Sequence, residues 1–556
     1  MKLQKTLLAA AVAAMLVPNA QAGEKEELLK LKGTTLNLIE ALVNEGILSR
    51  ERADEIVRQA EQSASETVQR AEREQAAPRK EIVRVPYVPE FVKEEIRDEV
   101  RAELREDVVN DVMQQAETQR WGVPNALPDW TRRFSFKGDI RLRAQSDLYS
   151  SDNITPEDFL TYIDWNESND AGKLCQLNTV DDRYRGRVRL RLGVDAKVTT
   201  NLKAGIRLTS GNTNDPVSTN QTLGNYNNKY QVVLDRAYLK YDGYDVDGNR
   251  WLTLYGGRIP NPWFSTDLVW DKDLSFEGVA AKFDYKLGAS NSLYDIDESN
   301  RKLFMTLGAF PLEEEEFSSR DKWLFGAQIG SEFNFQDQSR FVFGVAYYDY
   351  QNIEGKRNAV DSNTRDFTAP EFTQKGNTMF AISNSAGVQD FSRFALAAEY
   401  KLLNITAHYD LARFAPMHLM VDAGYGKNIG YGGGDTRDRA EGTPLFCGGS
   451  VFTCDPNDDP TEGYYVKLTA GWPNVLLPRR WQMSLGYKYL EGDAVLDAFT
   501  DSDFHLGGTN AKGWILGGNY GLMPNTWISA RWMSADEVDG PPLGIDVLQL
   551  DLNAKF

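Results

Sequence analysis

The chain has 556 residues, of which 41% are hydrophobic and 26% charged, and 81 acidic residues exceed 62 lysines and arginines to give a formal net charge of −19. This acidic balance argues against binding to nucleic acids or acidic lipids, and the many aromatic residues argue against an unfolded chain. After residue 22 no run of about 18 apolar residues occurs, which excludes an α-helical membrane protein but leaves a membrane β-barrel open.

Residues 1–22 have the features of an export signal. Lys2 and Lys5 precede an apolar run, and Ala20-Gln21-Ala22 is a cleavage site of the small-x-small type. The apolar run is too short to span a membrane comfortably as an uncleaved anchor. We therefore predict a signal peptide and an exported mature chain that begins at Gly23.

Helical periodicity follows the signal peptide. Residues 23–76 are predicted to form a helical hairpin that turns near Gly46, because glycine commonly ends a helix. A proline-containing linker at 77–89 then imposes an extended break, since Pro86 and Pro89 disfavour helix.

A second helical stretch occupies residues 90–118. Its apolar residues recur at every fourth position from Val92 to Val112, which makes a stripe too narrow for a globular core. Such a stripe is typical of a coiled coil between subunits, and a charged, partly helical linker is the alternative. Residues 119–133 are predicted to form a second linker.

From Phe134 to Phe556 the period changes to that of β-strands. About 16 segments alternate apolar and polar residues, an even number that is typical of a closed barrel. Residues 404–416 are interpreted as an irregular turn, because counting them as a strand would break this parity. Long connections, which alternate with short turns, are predicted at 147–182, 210–229, 260–274, 351–390, 429–462 and 491–511. The predicted fold is an all-β transmembrane barrel of about 16 antiparallel strands preceded by an α-helical segment.

A row of arginines is the sharpest local feature. In the segment RYRGRVRLR, arginines occupy every second position from Arg183 to Arg191, so they share one face at intervals of about 6.8 Å. A dry core cannot hold this row, because like charges repel strongly at low dielectric. Facing lipid, each arginine would cost about 2–4 kcal/mol. We therefore predict that the row faces a water-filled lumen and that the apolar face contacts lipid.

The predicted pore-lining set extends this row onto neighbouring strands. It comprises Arg141, Arg143, Arg183, Arg185, Arg187, Arg189, Arg191, Lys203 and Arg207. The connection 260–274 is a candidate constriction loop, because its carboxylates, if folded inward, would create a transverse field against the basic wall. These carboxylates are Asp267, Asp271 and Asp273. The alternative is that nearby aspartates neutralise the row and that it only packs. Those aspartates are Asp139, Asp181, Asp182 and Asp195.

Several segments carry a family resemblance. FKGDIRLR, LDRAYLKYDG, GRIPNPW, WDKDLSFEGVAAKF and KGWILGGNYG, together with VPYVPEFVKEEIRDEVRAEL ahead of the barrel, resemble the putative porins of Gram-negative bacteria. The resemblance covers nearly all of the mature chain. It implies an outer-membrane channel for passive diffusion of small hydrophilic solutes or ions, with the helical segment in the periplasm, and it implies no catalytic residues.

The resemblance also bears on assembly. The terminal strand ending in Phe556 is similar to the signal by which the outer-membrane barrel assembly machinery recognises its clients, and porins of this size imply a homotrimer. The alternative, from a different class of function, is a structural tether in which residues 23–118 link the barrel to peptidoglycan or organise oligomers.

The sequence offers little for catalysis or metal binding. It contains 3 histidines, and neither G-x-S-x-G nor H-E-x-x-H nor a Cys-x-x-Cys pair occurs. We predict no enzyme activity, no cofactor and no metal site. Cys447 and Cys454 are near enough in sequence to close a small disulfide loop, which would leave Cys175 unpaired.

Overall fold

The computed structural model describes residues 133–156, 177–246, 248–287, 301–316, 318–387, 390, 392–447 and 459–556. The predicted signal peptide, helical hairpin and coiled coil lie outside these described residues, as do Cys175 and Cys454. Within the described residues, no helix is long and apolar enough to cross a membrane.

The described part of the chain consists mainly of strands. In chain order they are β1 Phe134–Tyr149, β2 Arg183–Lys197, β3 Leu202–Ser210, β4 Gln221–Thr222, β5 Val232–Tyr244, β6 Arg250–Pro260, β7 Ser275–Leu287, β8 Arg301–Glu313, β9 Lys322–Asn334, β10 Arg340–Gln351, β11 Met379–Ala381, β12 Phe394–Leu396, β13 Lys401–Leu411, β14 His418–Asn428, β15 Leu445–Phe446, β16 Glu462–Gly471, β17 Trp481–Leu490, β18 Ala511–Met523, β19 Thr526–Glu537 and β20 Ile545–Lys555. The helix α1 spans Gly433–Arg439, and short 3-10 turns occur at Asp366–Thr368, Asp497–Phe499 and Phe504–Leu506.

The long strands form a closed antiparallel barrel. All the strands except β4, β11, β12 and β15 pair with their neighbours in chain order, and β20 returns to pair with β1, which gives the 16 strands that the alternation predicts. Closure satisfies the backbone hydrogen bonds of both edge strands, as a β-structure in lipid requires. Of the short strands, β4 pairs with β2, whereas β11 pairs with β12 and β15 in a separate small sheet.

Side chains alternate between the two faces of the barrel wall. In β1, Leu142 is 51% exposed on the outer face, whereas Arg141 and Arg143 are each 5% exposed on the inner face. The outer face is apolar along the other strands as well. Its exposed residues include Ile206, Leu239, Val279, Ile329, Val466, Leu485, Leu516 and Leu550. This outward apolar band is the surface that a transmembrane barrel presents to lipid.

One strand lies where the sequence suggested a turn. β13 occupies Lys401–Leu411 and so overlaps the segment 404–416 interpreted as an irregular turn. The alternation also predicts a strand that begins near Phe391, where the structure instead has the three-residue β12 inside a long loop. In β13, Leu402, Asn404 and Thr406 are buried on the inner face. Because the two errors compensate, the predicted number of strands is still correct although this strand was placed wrongly.

Long loops from one end of the barrel fold into its interior. The loops 261–274, 352–400 and 491–510 contribute buried apolar side chains that pack against the inner faces of the strands. Trp270 lies at the centre of this core, with its ring centroid 5.1 Å from that of Tyr348 and 5.0 Å from that of Phe276. The interior is therefore divided. One part is filled by apolar packing, and the arginine-bearing strands face a polar part.

Candidate functional site

Arginines from β1 and β2 lie side by side on the inner face. The antiparallel register places Arg141 directly opposite Arg189 and Arg143 directly opposite Arg187. We call this set the basic wall. It comprises Arg141, Arg143, Arg185, Arg187, Arg189 and Arg191. Like charges directly opposite each other on a sheet destabilise it. The arrangement therefore requires counterions.

Three aspartates pair with three of the four β2 arginines in the basic wall. Asp139 accepts hydrogen bonds from Arg189 and Arg191, each at 2.8 Å. Asp273, on loop 261–274, lies 3.0 Å from Arg191 and 3.7 Å from Arg189. Towards the loop end of the barrel, Arg185 pairs with Asp147 at 2.5 Å. Charge-assisted bonds of this kind are among the strongest that side chains form.

The β1 side of the basic wall contacts the last strand and a second loop. Arg143 makes a bidentate contact with Asp551 on β20, at 2.8 and 2.9 Å, and also binds Asp503 on loop 491–510 at 2.9 Å. Arg531 on β19 donates a second hydrogen bond to Asp503. Asp503 thus joins the loop to two strands, and these arginines hold its pKa well below the ordinary value although burial opposes them.

Loop 261–274, the candidate constriction loop, lies inside the barrel. Asp271 and Asp273 are buried and Asp267 is half-buried, with its carbonyl oxygen accepting a hydrogen bond from Lys488 at 3.0 Å. The backbone N–H of Asp271 donates to the carbonyl of Phe499 at 2.8 Å, which ties the two inward loops together. Asp273 touches the basic wall directly. It therefore neutralises arginines rather than facing them across a gap.

The two buried carboxyls of this loop have opposite protonation tendencies. Burial, together with the neighbouring Asp501, raises the pKa of Asp271 well above its ordinary value. Burial also acts on Asp273, but Arg189 and Arg191 more than offset it and hold the pKa of Asp273 below its ordinary value. Asp273 therefore carries the negative charge that the basic wall needs.

The remaining predicted site residues are spread along the wall. Arg207 pairs with Asp235 on β5, and Lys203 lies in register with Lys240 at the turn end of the barrel. Arg183 is exposed at the loop end of β2. Cys447 is disulfide-bonded. Because Cys454 lies outside the described residues, the pairing of these two cysteines stays a prediction.

The sequence interpretation missed several charged members of this site. They are Lys272, Asp503, Arg531 and Asp551. Asp551 could have been predicted from the sequence, because the first and last strands of a closed barrel must be neighbours. In the alternation of the last strand, Asp551 lies on the same face as Gln549 and Asn553. No comparable signal existed for the residues of the inward loops, since alternation does not specify how a loop folds.

Cavities of different charge lie between the loops and the wall, among them a basic one and an acidic one. The basic cavity, of about 450 Å³, is lined by Arg141, Arg143, Arg189, Arg191, Lys272, Arg531 and Lys555, with Asp139, Asp273 and Asp551 as its acidic members. The acidic cavity, of about 1100 Å³, lies towards the loop end, and its carboxyl-bearing residues are Asp215, Asp235, Glu277, Glu313, Glu315, Asp366, Glu371 and Asp497. Among the described residues, no cluster of three or more His, Cys, Asp or Glu side chains is arranged to hold a metal ion.

Comparison with known proteins gives one family match and several similar folds. The family model described as putative porin matches residues 32–556. The outer membrane channel DcaP of Acinetobacter baumannii is 14% identical, with 76% of this chain and 97% of that chain covered at a TM-score of 0.38. OprB of Pseudomonas putida is 12% identical, with 77% and 95% covered at a TM-score of 0.41. No curated protein sequence matches at a significant level.

Proposed function

Since this chain belongs to the putative porin family, we propose that it forms a water-filled channel through which small hydrophilic solutes and ions diffuse passively across the outer membrane. The observation that carries this proposal is the inward-facing basic wall inside a closed 16-strand barrel. Charged walls of this kind select solutes in water-filled pores.

Water in the lumen is supported by the placement of the charges. Lys272 is enclosed by the barrel, yet its side chain is exposed to solvent within the basic cavity. The arginines of the basic wall also point into the barrel, away from its apolar outer face. Isolated charges at these positions would be costly in a dry interior, whereas hydration lowers that cost. The polar cavities are therefore the segments of a hydrated path.

The path runs beside the basic wall. The inward loops and the apolar core around Trp270 pack against the inner faces of β6 to β10 and β13 and also contact β16 to β20. The basic cavity lies beside β1, β2 and β17 to β20, which carry most of its lining, so solutes that cross it pass along the basic wall. A charged constriction that lies beside one wall of the barrel favours small polar solutes over large or apolar ones.

Assembly and location follow the same proposal. We place the protein in the outer membrane as a homotrimer, with residues 90–118 as the association element and Phe556 as the terminal assembly signal. Aspartate at Ile96, Val100 and Leu104 should then yield monomers when particle size is measured in mild detergent, whereas intact trimers would assign association to the barrel. The alternative role as a peptidoglycan tether depends on residues 23–118, outside the described residues.

Planar-bilayer recording of the purified full-length protein tests the channel. We expect discrete, passive current steps that persist when residues 24–118 are deleted. A protein that is folded, as shown by its heat-modifiable gel mobility, but that carries no current would contradict the channel. The variant Lys272→Glu shows whether the current comes from this protein or from a contaminating porin. It reverses one charge in the basic cavity and should shift the reversal potential toward cations, whereas the current of a contaminating porin would not change.

A further inference from the structure

Arg141 and Lys272, two of the cations that line the basic cavity, have no carboxylate of their own. The nearest carboxylate to Arg141 belongs to Asp551, at 4.0 Å, and Asp551 is already engaged in the bidentate contact with Arg143. The Nε of Arg141 is buried and has no hydrogen-bond partner, although one of its terminal nitrogens donates to Asn220. A buried donor without a partner costs free energy that a bound acceptor recovers.

Lys272 presents the second cation. Its side chain is exposed in the basic cavity, and it forms neither a hydrogen bond nor an ion pair with any residue that the structure describes. The enclosing protein and Arg531 lower its pKa, but Asp501, Asp267 and Asp503 more than compensate, so the pKa of Lys272 is raised above its ordinary value. The ammonium group is therefore charged and available to a solute.

Neutral hydrogen-bonding side chains line the same cavity. They are Ser484, Asn519, Ser529 and Asn553, contributed by four strands that follow one another around the barrel. Amide and hydroxyl groups donate to and accept from hydroxyl groups without a charge requirement. With a volume of about 450 Å³, the basic cavity also falls in the range of small-molecule sites.

We propose that the basic cavity is a binding subsite for a small hydroxylated solute that carries a carboxylate or phosphate group, with Arg141 and Lys272 holding the anionic oxygens. The proposal rests on the channel function and names the class of solute that the channel admits. The amide and hydroxyl side chains bind the solute's hydroxyl groups. Conduction requires a site that attracts a solute and still releases it. A subsite with two available cations and an open water-filled approach meets that condition.

Titration of the full-length protein in detergent with four probes tests the subsite by calorimetry. The probes are gluconate, glucose 6-phosphate, uncharged glucose and propionate, which has a carboxylate but no hydroxyl group. We expect gluconate or glucose 6-phosphate to bind more tightly than glucose and propionate. Whichever of the two binds better identifies carboxylate or phosphate as the preferred group. Equal binding of glucose would overturn the role of the cations, and equal binding of propionate would overturn the role of the hydroxyl groups.

Two variants and a matched control locate the subsite. Lys272→Gln and Arg141→Gln should each weaken binding of the preferred probe about tenfold, the effect of losing a hydrogen bond to a charged group. Lys286→Gln removes the same charge outside the cavity, where Lys286 binds Asn249, and should leave binding unchanged. Unaltered binding in Lys272→Gln, whose exposed loop position spares the fold, overturns the subsite.

Bilayer recording separates this proposal from the channel itself. If the protein conducts ions but its solute binding does not depend on Lys272, the channel is supported and the subsite is contradicted. If it binds gluconate through Lys272 but carries no current, the subsite is supported and the channel is contradicted. In a conducting protein, the preferred probe should also reduce the ion current. This reduction should be weaker in Lys272→Gln and Arg141→Gln and unchanged in Lys286→Gln.

Discussion

Gly138 and Phe556 exchange two backbone hydrogen bonds at the seam where the barrel closes. The N–H of Gly138 donates to the carbonyl of Phe556 at 2.7 Å, and the N–H of Phe556 donates to the carbonyl of Gly138 at 2.9 Å. The aromatic ring of Phe556 covers Gly138 so closely that a Cβ at Gly138 would overlap it. The terminal residue is thus part of the pairing between the first and last strands as well as the end of the chain.

Substitution at this seam should impair barrel formation. Gly138→Val should displace the Phe556 ring, and overpacking of this kind costs about 1–3 kcal/mol. Deletion of Phe556 removes the backbone pair as well as the ring. We expect less folded barrel in the outer membrane for both variants, measured by heat-modifiable mobility.

A matched control distinguishes the seam from loss of any aromatic residue. Phe335, which is also exposed at the turn end of the barrel, can be changed to alanine without touching the β1–β20 pairing. Phe335→Ala should assemble normally. Normal assembly after deletion of Phe556 would refute the terminal-signal function.

Trp270 should hold the constriction loop against the barrel wall. It is 2% exposed, and its ring also packs against Phe499 of the second inward loop at a centroid distance of 6.0 Å. Replacing a buried tryptophan by alanine costs about 3–5 kcal/mol. The strands keep their own pairing in Trp270→Ala, so we expect the barrel to form but the loop to detach, with larger and noisier single-channel currents.

The lipid face supplies the control for Trp270. Trp514→Ala removes the same ring from an outward position that is 51% exposed, and its conductance should equal that of the unsubstituted protein. If Trp270→Ala also left the current unchanged, loop 261–274 would not limit the path.

Most of what the sequence predicted about the fold follows from the alternation of apolar and polar residues along the strands. In β1 and β2 every arginine that the period placed on one face does lie on that face, because only one register puts Leu142 and Leu192 on the outer face. The strand count also followed from alternation. β13 shows the limit of that signal, because its inner residues Asn404 and Thr406 are buried rather than exposed to water and because a preference for an even number of strands concealed it.

The site was predictable mainly where a strand supplied the residue. The row from Arg185 to Arg191 follows from the period of 2. The loop counterions of the basic wall, Asp273 and Asp503, lie on loops whose inward fold depends on long-range packing of residues such as Trp270 and Phe499. Loop sequences have no periodicity that reports this packing. The neutralisation of the basic wall by Asp139 was one alternative open from the sequence, but Asp195 instead pairs with Lys137.

Loop 491–510 should dock less firmly as the pH rises from about 4 to about 7. Burial raises the pKa of Asp497 to about 7, and its carboxyl accepts a hydrogen bond from Thr373 at 2.7 Å. Between the ordinary pKa of 3.8 and the raised value, the undocked carboxyl is ionised while the docked one keeps its proton. Docking therefore loses up to about 1.4 kcal/mol per pH unit across that window and then levels off.

Asp497→Asn should reduce this dependence, because an amide can still accept the bond from Thr373 but does not titrate. Part of the dependence should persist, because burial also raises the pKa of Asp493 in the same loop. Protease cleavage within the loop, followed from pH 5 to pH 8, measures docking. Cleavage should increase with pH in the unsubstituted protein and increase less steeply in Asp497→Asn. The exposed Asp181 offers a control, and Asp181→Asn should keep the pH dependence. A pH-independent unsubstituted protein would contradict the role of Asp497.

Asp503 should control both the charge of the lumen and the position of its loop. It binds Arg143 at 2.9 Å and also Arg531, so Asp503→Asn leaves Arg531 without its carboxylate and Arg143 with Asp551 alone. One negative charge is removed next to the basic cavity. Breaking a buried ion pair on one side costs about 3–5 kcal/mol. We expect a reversal potential shifted toward anions together with more frequent current fluctuations, because the loop loses its anchor. The matched change Asp337→Asn, in the turn at the opposite end of the barrel, should alter neither quantity. A shift of the same size in both variants would mean that total charge, rather than this ion pair, sets the selectivity.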